Sequence, residues 1–69
     1  MKLSARNHLK GIIEEIETDK VVAHIVIRVG EDNLIESIIT RRSVDELALK
    51  KGDTVTAVVK ATEVMVSKP

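Results

Sequence analysis

The sequence predicts an all-β domain with one short helix, in the order β-β-β-α-β-β. Apolar residues alternate with other residues over most of the chain, and this is the period of a strand that buries one face. The alternation stops once, after Thr40, where Ser43 and Glu46 have the spacing of a helix capping box. With 69 residues, the chain is expected to form a single domain over residues 1–69, with a small core.

Three strands are predicted before the helix, over residues 9–16, 21–29 and 34–40. In the first, the apolar spacing slips after Ile13 and a glycine stands at position 11, so we expect a bulge or a sharp bend there. In the second, every odd position is apolar, which predicts one face turned fully to the core.

The helix is predicted to begin at Ser43, whose side chain would cap it, and to end at the cations and glycine of Lys50-Lys51-Gly52. Alternation resumes over residues 53–60, and a short fifth strand is expected over residues 62–66. One helix between the third and fourth of five strands is the order expected of a small OB-type barrel. The predicted fold is therefore a five-stranded OB-type barrel.

The composition argues against several classes of partner. Eleven basic residues balance eleven acidic ones, whereas nucleic-acid-binding domains usually carry a basic excess. Phe, Tyr and Trp are absent, so bases would find no aromatic platform, and the absence of Cys excludes disulfides and thiolate metal sites. No apolar run approaches the roughly 18 residues of a membrane span, and the first residues do not resemble a signal peptide. We expect a soluble, cytoplasmic domain with no nucleic-acid or membrane partner.

The apolar content of 43% exceeds what one small barrel can bury, and the surplus lies on the second face of several strands. The residues concerned are Val22, Val26, Val58 and Met65, together with Ile12 and Ile38. We therefore expect the chain to form a homo-oligomer through these faces.

Three clusters at the ends of predicted elements combine cations with hydrogen-bond donors. They are Ser4-Ala5-Arg6-Asn7, Thr40-Arg41-Arg42-Ser43 and Lys60-Ala61. Taken singly, each is more often a set of solvated charges or, at Ser43, a helix cap. Taken together, a guanidinium fork, an ammonium, hydroxyls and approachable backbone N–H groups suit a compact oxyanion.

The chain resembles the molbindin (Mop) family of small molybdate-binding proteins. The matching segments are Ser4-Ala5-Arg6-Asn7 with Leu9-Lys10-Gly11, Ile38-Ile39-Thr40 with Ser43-Val44-Asp45-Glu46-Leu47, Lys51-Gly52, and residues 57–65. They keep their order and spacing over nearly the whole chain, and only the strand pattern carries over between residues 14 and 33.

The resemblance implies an OB-type barrel that assembles as a hexamer, a trimer of dimers, and holds oxyanions between subunits. The ligand set that it implies is Ser4, Ala5, Arg6, Lys60 and Ala61 from one subunit, with Thr40 and Ser43 supplied by another. The ligand is molybdate or tungstate, bound as an oxyanion with no direct bond from protein to metal. The implied role is storage and homeostasis of molybdenum, without catalysis.

Two other functions remain open on the sequence. A relative of the regulatory or transport-associated molybdate domains would sense molybdate, although a single unfused domain favours storage. A small dimeric DNA-binding regulator is suggested by the segment Leu49-Lys50-Lys51-Gly52-Asp53-Thr54-Val55, and salt-dependent binding to DNA would reveal it. An enzyme is not expected, because His8 and His24 have neither a nucleophile beside them nor the spacing of a zinc site.

Overall fold

The computed structural model describes residues 6–69. Within that range, four strands form one antiparallel sheet, in the order β3-β2-β1-β4. The elements are β1 (Asn7–Thr18), β2 (Val22–Val29), β3 (Asn33–Thr40), α1 (Arg41–Leu47), β4 (Thr54–Val59) and a 3-10 helix (Ala61–Glu63). The predicted class, all-β with one short helix between the third and fourth strands, is confirmed.

Strand β1 contains a bulge, and its two halves have different neighbours. Its first half pairs with β4, its second half pairs with β2, and the register with β2 shifts between Ile13 and Glu15. At Gly11 a Cβ atom would lie 2.6 Å from the carbonyl oxygen of Arg28, so only glycine lets the two backbones approach this closely. The prediction of a bulge or a sharp bend is confirmed as a bulge, which lies between Ile13 and Glu15.

The core is built mainly from β2. Ala23, Ile25 and Ile27 expose at most 6% of their surface, as the alternation of that strand predicted. Ile13, Val44 and Ala57 complete the buried cluster. Since Val44 belongs to α1, the short helix is held by packing its apolar residue on the sheet, as a helix of seven residues requires.

The prediction that Ser43 caps the helix is wrong. The helix begins at Arg41, and Thr40 is the cap: its Oγ1 accepts the backbone N–H of Ser43 at 3.0 Å. Thr40 is the last residue of β3 and still has extended backbone, with φ −75° and ψ 149°, which is the conformation that a cap needs. The strand therefore runs directly into the helix without a loop.

The predicted end of the helix is also wrong, because α1 ends before the Lys50-Lys51-Gly52 segment. Ala48 closes it in the left-handed region, at φ 51°, and donates its N–H to the carbonyls of Val44 and Asp45. Gly52, at φ 93°, serves instead in the turn that leads to β4.

The prediction of a fifth strand over residues 62–66 is wrong for the single chain. After Lys60 the backbone turns into the 3-10 helix, and no described strand pairs with the residues that follow. Val64, Met65 and Val66 expose 52%, 93% and 91% of their surface. A strand requires a partner for its backbone groups, and within residues 6–69 this segment has none.

Candidate oxyanion site

Five of the seven predicted site residues lie within the described range, each at or near the end of an element. Arg6 precedes β1, Thr40 ends β3, Ser43 lies in the first turn of α1, Lys60 follows β4, and Ala61 opens the 3-10 helix. Ser43 is half-buried and the other four are exposed. Ser4 and Ala5 lie outside the described residues.

Arg6, Lys60 and Ala61 form one group, because β1 and β4 are paired neighbours. The first residue of β1, Asn7, lies opposite the last residue of β4, Val59, and the Asn7 amide donates to the Val59 carbonyl at 3.3 Å. Arg6 and Lys60 each stand one residue beyond this pair. We call Arg6, Lys60 and Ala61 the cationic half-site.

The charge of the cationic half-site is not neutralised by neighbouring carboxylates. Among residues 6–69, no Asp or Glu oxygen lies within 4 Å of the Arg6 guanidinium or the Lys60 ammonium. Two cations at the same end of one strand pair, with no acid in contact among residues 6–69, favour an anionic ligand over a neutral one.

Thr40 and Ser43 form the second group, which we call the hydroxyl half-site. Their hydroxyl oxygens lie 2.9 Å apart, and either can donate to the other. The cap bond from the Ser43 N–H to Thr40 Oγ1 fixes the spacing of the two residues. The hydroxyl half-site therefore presents two hydroxyl groups at the start of a helix, where partial positive charge is expected.

Arg41 and Arg42, which the sequence placed in the same cluster, are engaged elsewhere. Arg41 Nε lies 3.8 Å from Asp45 Oδ1, and Arg42 Nε donates to Glu46 Oε1 at 3.0 Å. Both pairs have the i, i+4 spacing of neighbours along a helix. The hydroxyl half-site thus offers hydrogen bonds, while the charge that compensates an anion has to come from the cationic half-site.

The two half-sites lie at opposite ends of β1 and do not converge within one chain. The cationic half-site adjoins Asn7, the first residue of β1. The hydroxyl half-site adjoins Val22, which pairs with Thr40 beside the far end of β1. The strand between them has 12 residues, which at about 3.3 Å each is on the order of 40 Å along the chain. One small oxyanion cannot touch both halves of the same chain.

The turn between β1 and β2 holds the hydroxyl half-site in place through Asp19. Asp19 Oδ1 accepts the N–H groups of Val22 and Val21, both at 2.8 Å. These two bonds, and to a smaller extent the charge of Arg41, hold the pKa of Asp19 below its ordinary value. The predictions from sequence missed this residue, although an aspartate at a turn between two strands is a recognised signal for such bonds.

The remaining candidate groups give no second site. His24 is half-buried on β2, and its Nε2 lies 2.7 Å from Glu36 Oε1. Within residues 6–69, no three His, Asp or Glu side chains are grouped to hold a metal ion. None of the helices in this range has the length and apolar character to cross a membrane.

Comparison with known proteins identifies the family. Residues 3–66 match the TOBE domain. Molybdenum-pterin-binding protein 2 of Clostridium pasteurianum is 46% identical over 66 residues, which cover 96% of this chain and 97% of that protein.

Two solved structures match the fold. A molybdate-binding protein from Sporomusa ovata superposes with a TM-score of 0.91 at 44% identity, over 99% of this chain and 100% of that one. The cytoplasmic molybdate-binding protein ModG, in a crystal form with molybdate bound, gives a TM-score of 0.83 at 41% identity, over 88% of this chain and 43% of that one. These neighbours have the OB-type molbindin fold, so the predicted fold class is confirmed even though four strands rather than five pair within residues 6–69. On the domain match, the identity over nearly the full length and the shared fold, this chain belongs to the molbindin family of TOBE-domain proteins.

Proposed function

We propose that this protein binds molybdate, and tungstate as well, between the subunits of a homo-oligomer, and that it stores molybdenum in the cytoplasm. The observation that carries the proposal is the separation of the site into two complementary halves at opposite ends of β1. One half supplies charge without hydroxyl groups among its described residues, and the other supplies hydroxyl groups without free charge. Two copies of the chain can bring the halves together, whereas one copy cannot.

The chemistry of the two halves suits a tetrahedral dianion. Arg6 offers a planar fork of donors, Lys60 offers a mobile ammonium, and together they match two negative charges. Thr40 and Ser43 add hydroxyl donors from a second direction. Ser4 and Ala5 belong to the proposed site through the family resemblance. Binding, with no bond made or broken by the protein, is the activity that this set of residues supports.

Self-association is supported by an apolar groove that the single chain leaves open. The groove has a volume of about 390 Å³, and Ile35 and Ile39 line it from β3 while Val55 and Val59 line it from β4. The exposed apolar segment over residues 64–66 has strand-like composition and pairs with no strand among residues 6–69. We propose that a second copy covers the groove and provides a neighbouring strand for the segment. The predicted fifth strand would then form only in the assembly. A hexamer, as a trimer of dimers, is the assembly that the family resemblance favours.

Met65→Asp is expected to dissociate the oligomer. Met65 exposes 93% of its surface in the single chain, where such a substitution normally changes stability by about 0.5 kcal/mol or less. Buried in an interface, the new carboxylate would cost several kcal/mol, on the order of 3–5 kcal/mol if unpaired. Sedimentation velocity at micromolar concentration measures the outcome.

The matched control for Met65→Asp is Asn33→Asp, which places the same charge at an exposed residue at the start of β3, outside the apolar faces. We expect this control to keep the size of the parent assembly. A parent protein that sediments as a monomer would contradict both the interface and the intersubunit site.

Ligand choice tests the function directly. Titration calorimetry is expected to show binding of molybdate and tungstate, with sulfate and phosphate far weaker. Sulfate and molybdate have the same charge, so discrimination has to come from the size of the cavity and the span of its hydrogen bonds. Native mass spectrometry of the same samples reports the number of anions per assembly. Equal affinity for sulfate would mean that the site recognises charge alone, and the proposal of molybdate storage would then fail.

A further inference from the structure

The turn between β1 and β2 has a role that extends beyond closing a hairpin. Resting on the proposed oxyanion function, we infer that Asp19 is a positioning residue for the hydroxyl half-site. Its carboxylate accepts hydrogen bonds from the backbone of the turn. The turn then holds the start of α1 through its own carbonyls.

The first step is the rigidity of the turn itself. One oxygen of the Asp19 carboxylate accepts two successive backbone N–H groups, those of Val21 and Val22, each at 2.8 Å. The Asp19 N–H donates to the Val22 carbonyl at 3.0 Å and closes the turn from the other side. The bond to the Val22 N–H holds the peptide group that also carries the Val21 carbonyl, and this carbonyl faces the helix.

The second step is the contact between the turn and the helix start. The Arg41 N–H donates to the Val21 carbonyl at 2.8 Å, and Arg41 Nη1 donates to the Asp19 carbonyl at 3.1 Å. Thr40 lies directly before Arg41 and pairs with Val22 across the sheet. Since Thr40 Oγ1 in turn holds Ser43, the position of both hydroxyl groups depends on the two turn carbonyls.

Removing the Asp19 carboxylate changes the affinity for an anion in opposite directions, depending on whether Asp19 acts through its charge or through positioning. A carboxylate near an anion site weakens binding through its charge, so its removal should tighten binding if charge were its only effect. If Asp19 acts by positioning, its removal should weaken binding in spite of the charge. The direction of the change therefore separates the two explanations.

The test compares Asp19→Ala with Asp19→Asn by molybdate calorimetry on the assembled protein. Asparagine keeps an oxygen that can accept both N–H groups, and it lacks the charge. We expect Asp19→Ala to bind molybdate about 2- to 10-fold more weakly, the value of one ordinary hydrogen bond, and Asp19→Asn to bind at least as tightly as the parent. Tighter binding by both variants, or no change in either, would overturn the inference.

Two matched controls exclude general loss of stability and general loss of charge. Asp53→Ala removes a comparable bond, from the Lys50 N–H to the Asp53 carboxylate at 3.0 Å, in a turn that does not contact α1 through Thr40. It should leave the affinity unchanged.

Arg41→Leu breaks the bond to the Asp19 carbonyl, whereas Arg42→Leu removes a neighbouring positive charge that does not contact the turn. Affinity should fall more in Arg41→Leu than in Arg42→Leu, and equal losses would contradict positioning.

A measurement without ligand keeps this inference distinct from the proposed function. Amide hydrogen exchange of Arg41 and Ser43 should be faster in Asp19→Ala than in the parent, and restored in Asp19→Asn. If the parent binds no molybdate, the proposed function fails, while the exchange rates still show whether Asp19 orders the helix start. Unchanged exchange at both amides would overturn the positioning role whatever the protein binds.

Discussion

Arg6→Ala and Lys60→Ala are each expected to weaken molybdate binding about 10- to 150-fold, because a hydrogen bond to a charged group contributes about 1.5–3 kcal/mol. Both cations lie at one end of the β1–β4 pair, and among the described residues no carboxylate contacts them. Their charge is therefore available to the anion. Calorimetry on the assembled variants measures the loss.

Three further variants sharpen this prediction. Arg6→Lys should restore little of the affinity if the guanidinium fork is used, since an ammonium cannot reproduce two parallel donors. Ser43→Ala should cost less than either cation, about 0.5–1.5 kcal/mol, as expected for an uncharged hydroxyl. Lys10→Ala removes an exposed cation from β1 outside the proposed site and serves as the control. Parent-like affinity in both Arg6→Ala and Lys60→Ala would show that the site has been assigned to the wrong residues.

Ile13→Ala is expected to lower the free energy of unfolding by about 2–5 kcal/mol, the usual cost of a cavity in a core. Ile13 exposes 1% of its surface, and among the described residues it is the largest side chain that is fully buried. A domain of this size has a total stability on the order of 3–10 kcal/mol, so much of the folded population would be lost. Denaturant unfolding at one fixed protein concentration is the appropriate measurement, because assembly adds to apparent stability.

Leu34→Ala is the matched control for Ile13→Ala. Leu34 lies on the same sheet but exposes 60% of its surface, so truncating it leaves no cavity. If Leu34→Ala lowered the free energy of unfolding as much as Ile13→Ala does, the buried cluster around Ile13 would not be the core.

The strands could be predicted from sequence because each has one face that is committed to the core. Ala23, Ile25 and Ile27 alternate with polar or half-buried residues, and a register slip of one residue would turn all three to solvent. The slip in spacing after Ile13, together with Gly11, likewise led to the prediction of a bulge or a sharp bend. These features depend on local pattern, which a sequence displays directly.

The errors arose where the structure depends on distant groups. Ser43 and Glu46 have the spacing of a capping box, but Thr40 caps the helix because the pairing of β3 with β2 already holds it in extended geometry. The segment 62–66 has the composition of a strand, yet composition does not provide the neighbouring strand that it needs. The sequence did not indicate a role for Asp19, because that role depends on its contact with Arg41, which is 22 residues away along the chain.

The candidate site residues came from two sources. Charge and helix-end chemistry indicated three clusters, and the family resemblance combined them into one proposed ligand set. Within the described range the structure joins Arg6, Lys60 and Ala61 but leaves Thr40 and Ser43 apart. In the proposed site the clusters converge only between subunits, and periodicity within one chain carries no information about such a contact.

The proposed intersubunit site would make anion binding and assembly a single linked equilibrium, because its two half-sites lie at opposite ends of β1. An anion that needs the cations of one chain and the hydroxyl groups of another binds the assembled state in preference to the free chain. By reciprocity, molybdate would then strengthen the association of the subunits by the same factor by which association strengthens the binding of molybdate. The apparent affinity would rise with protein concentration as well as with ligand, so that the amount of protein in the cell would itself set how firmly the metal is held.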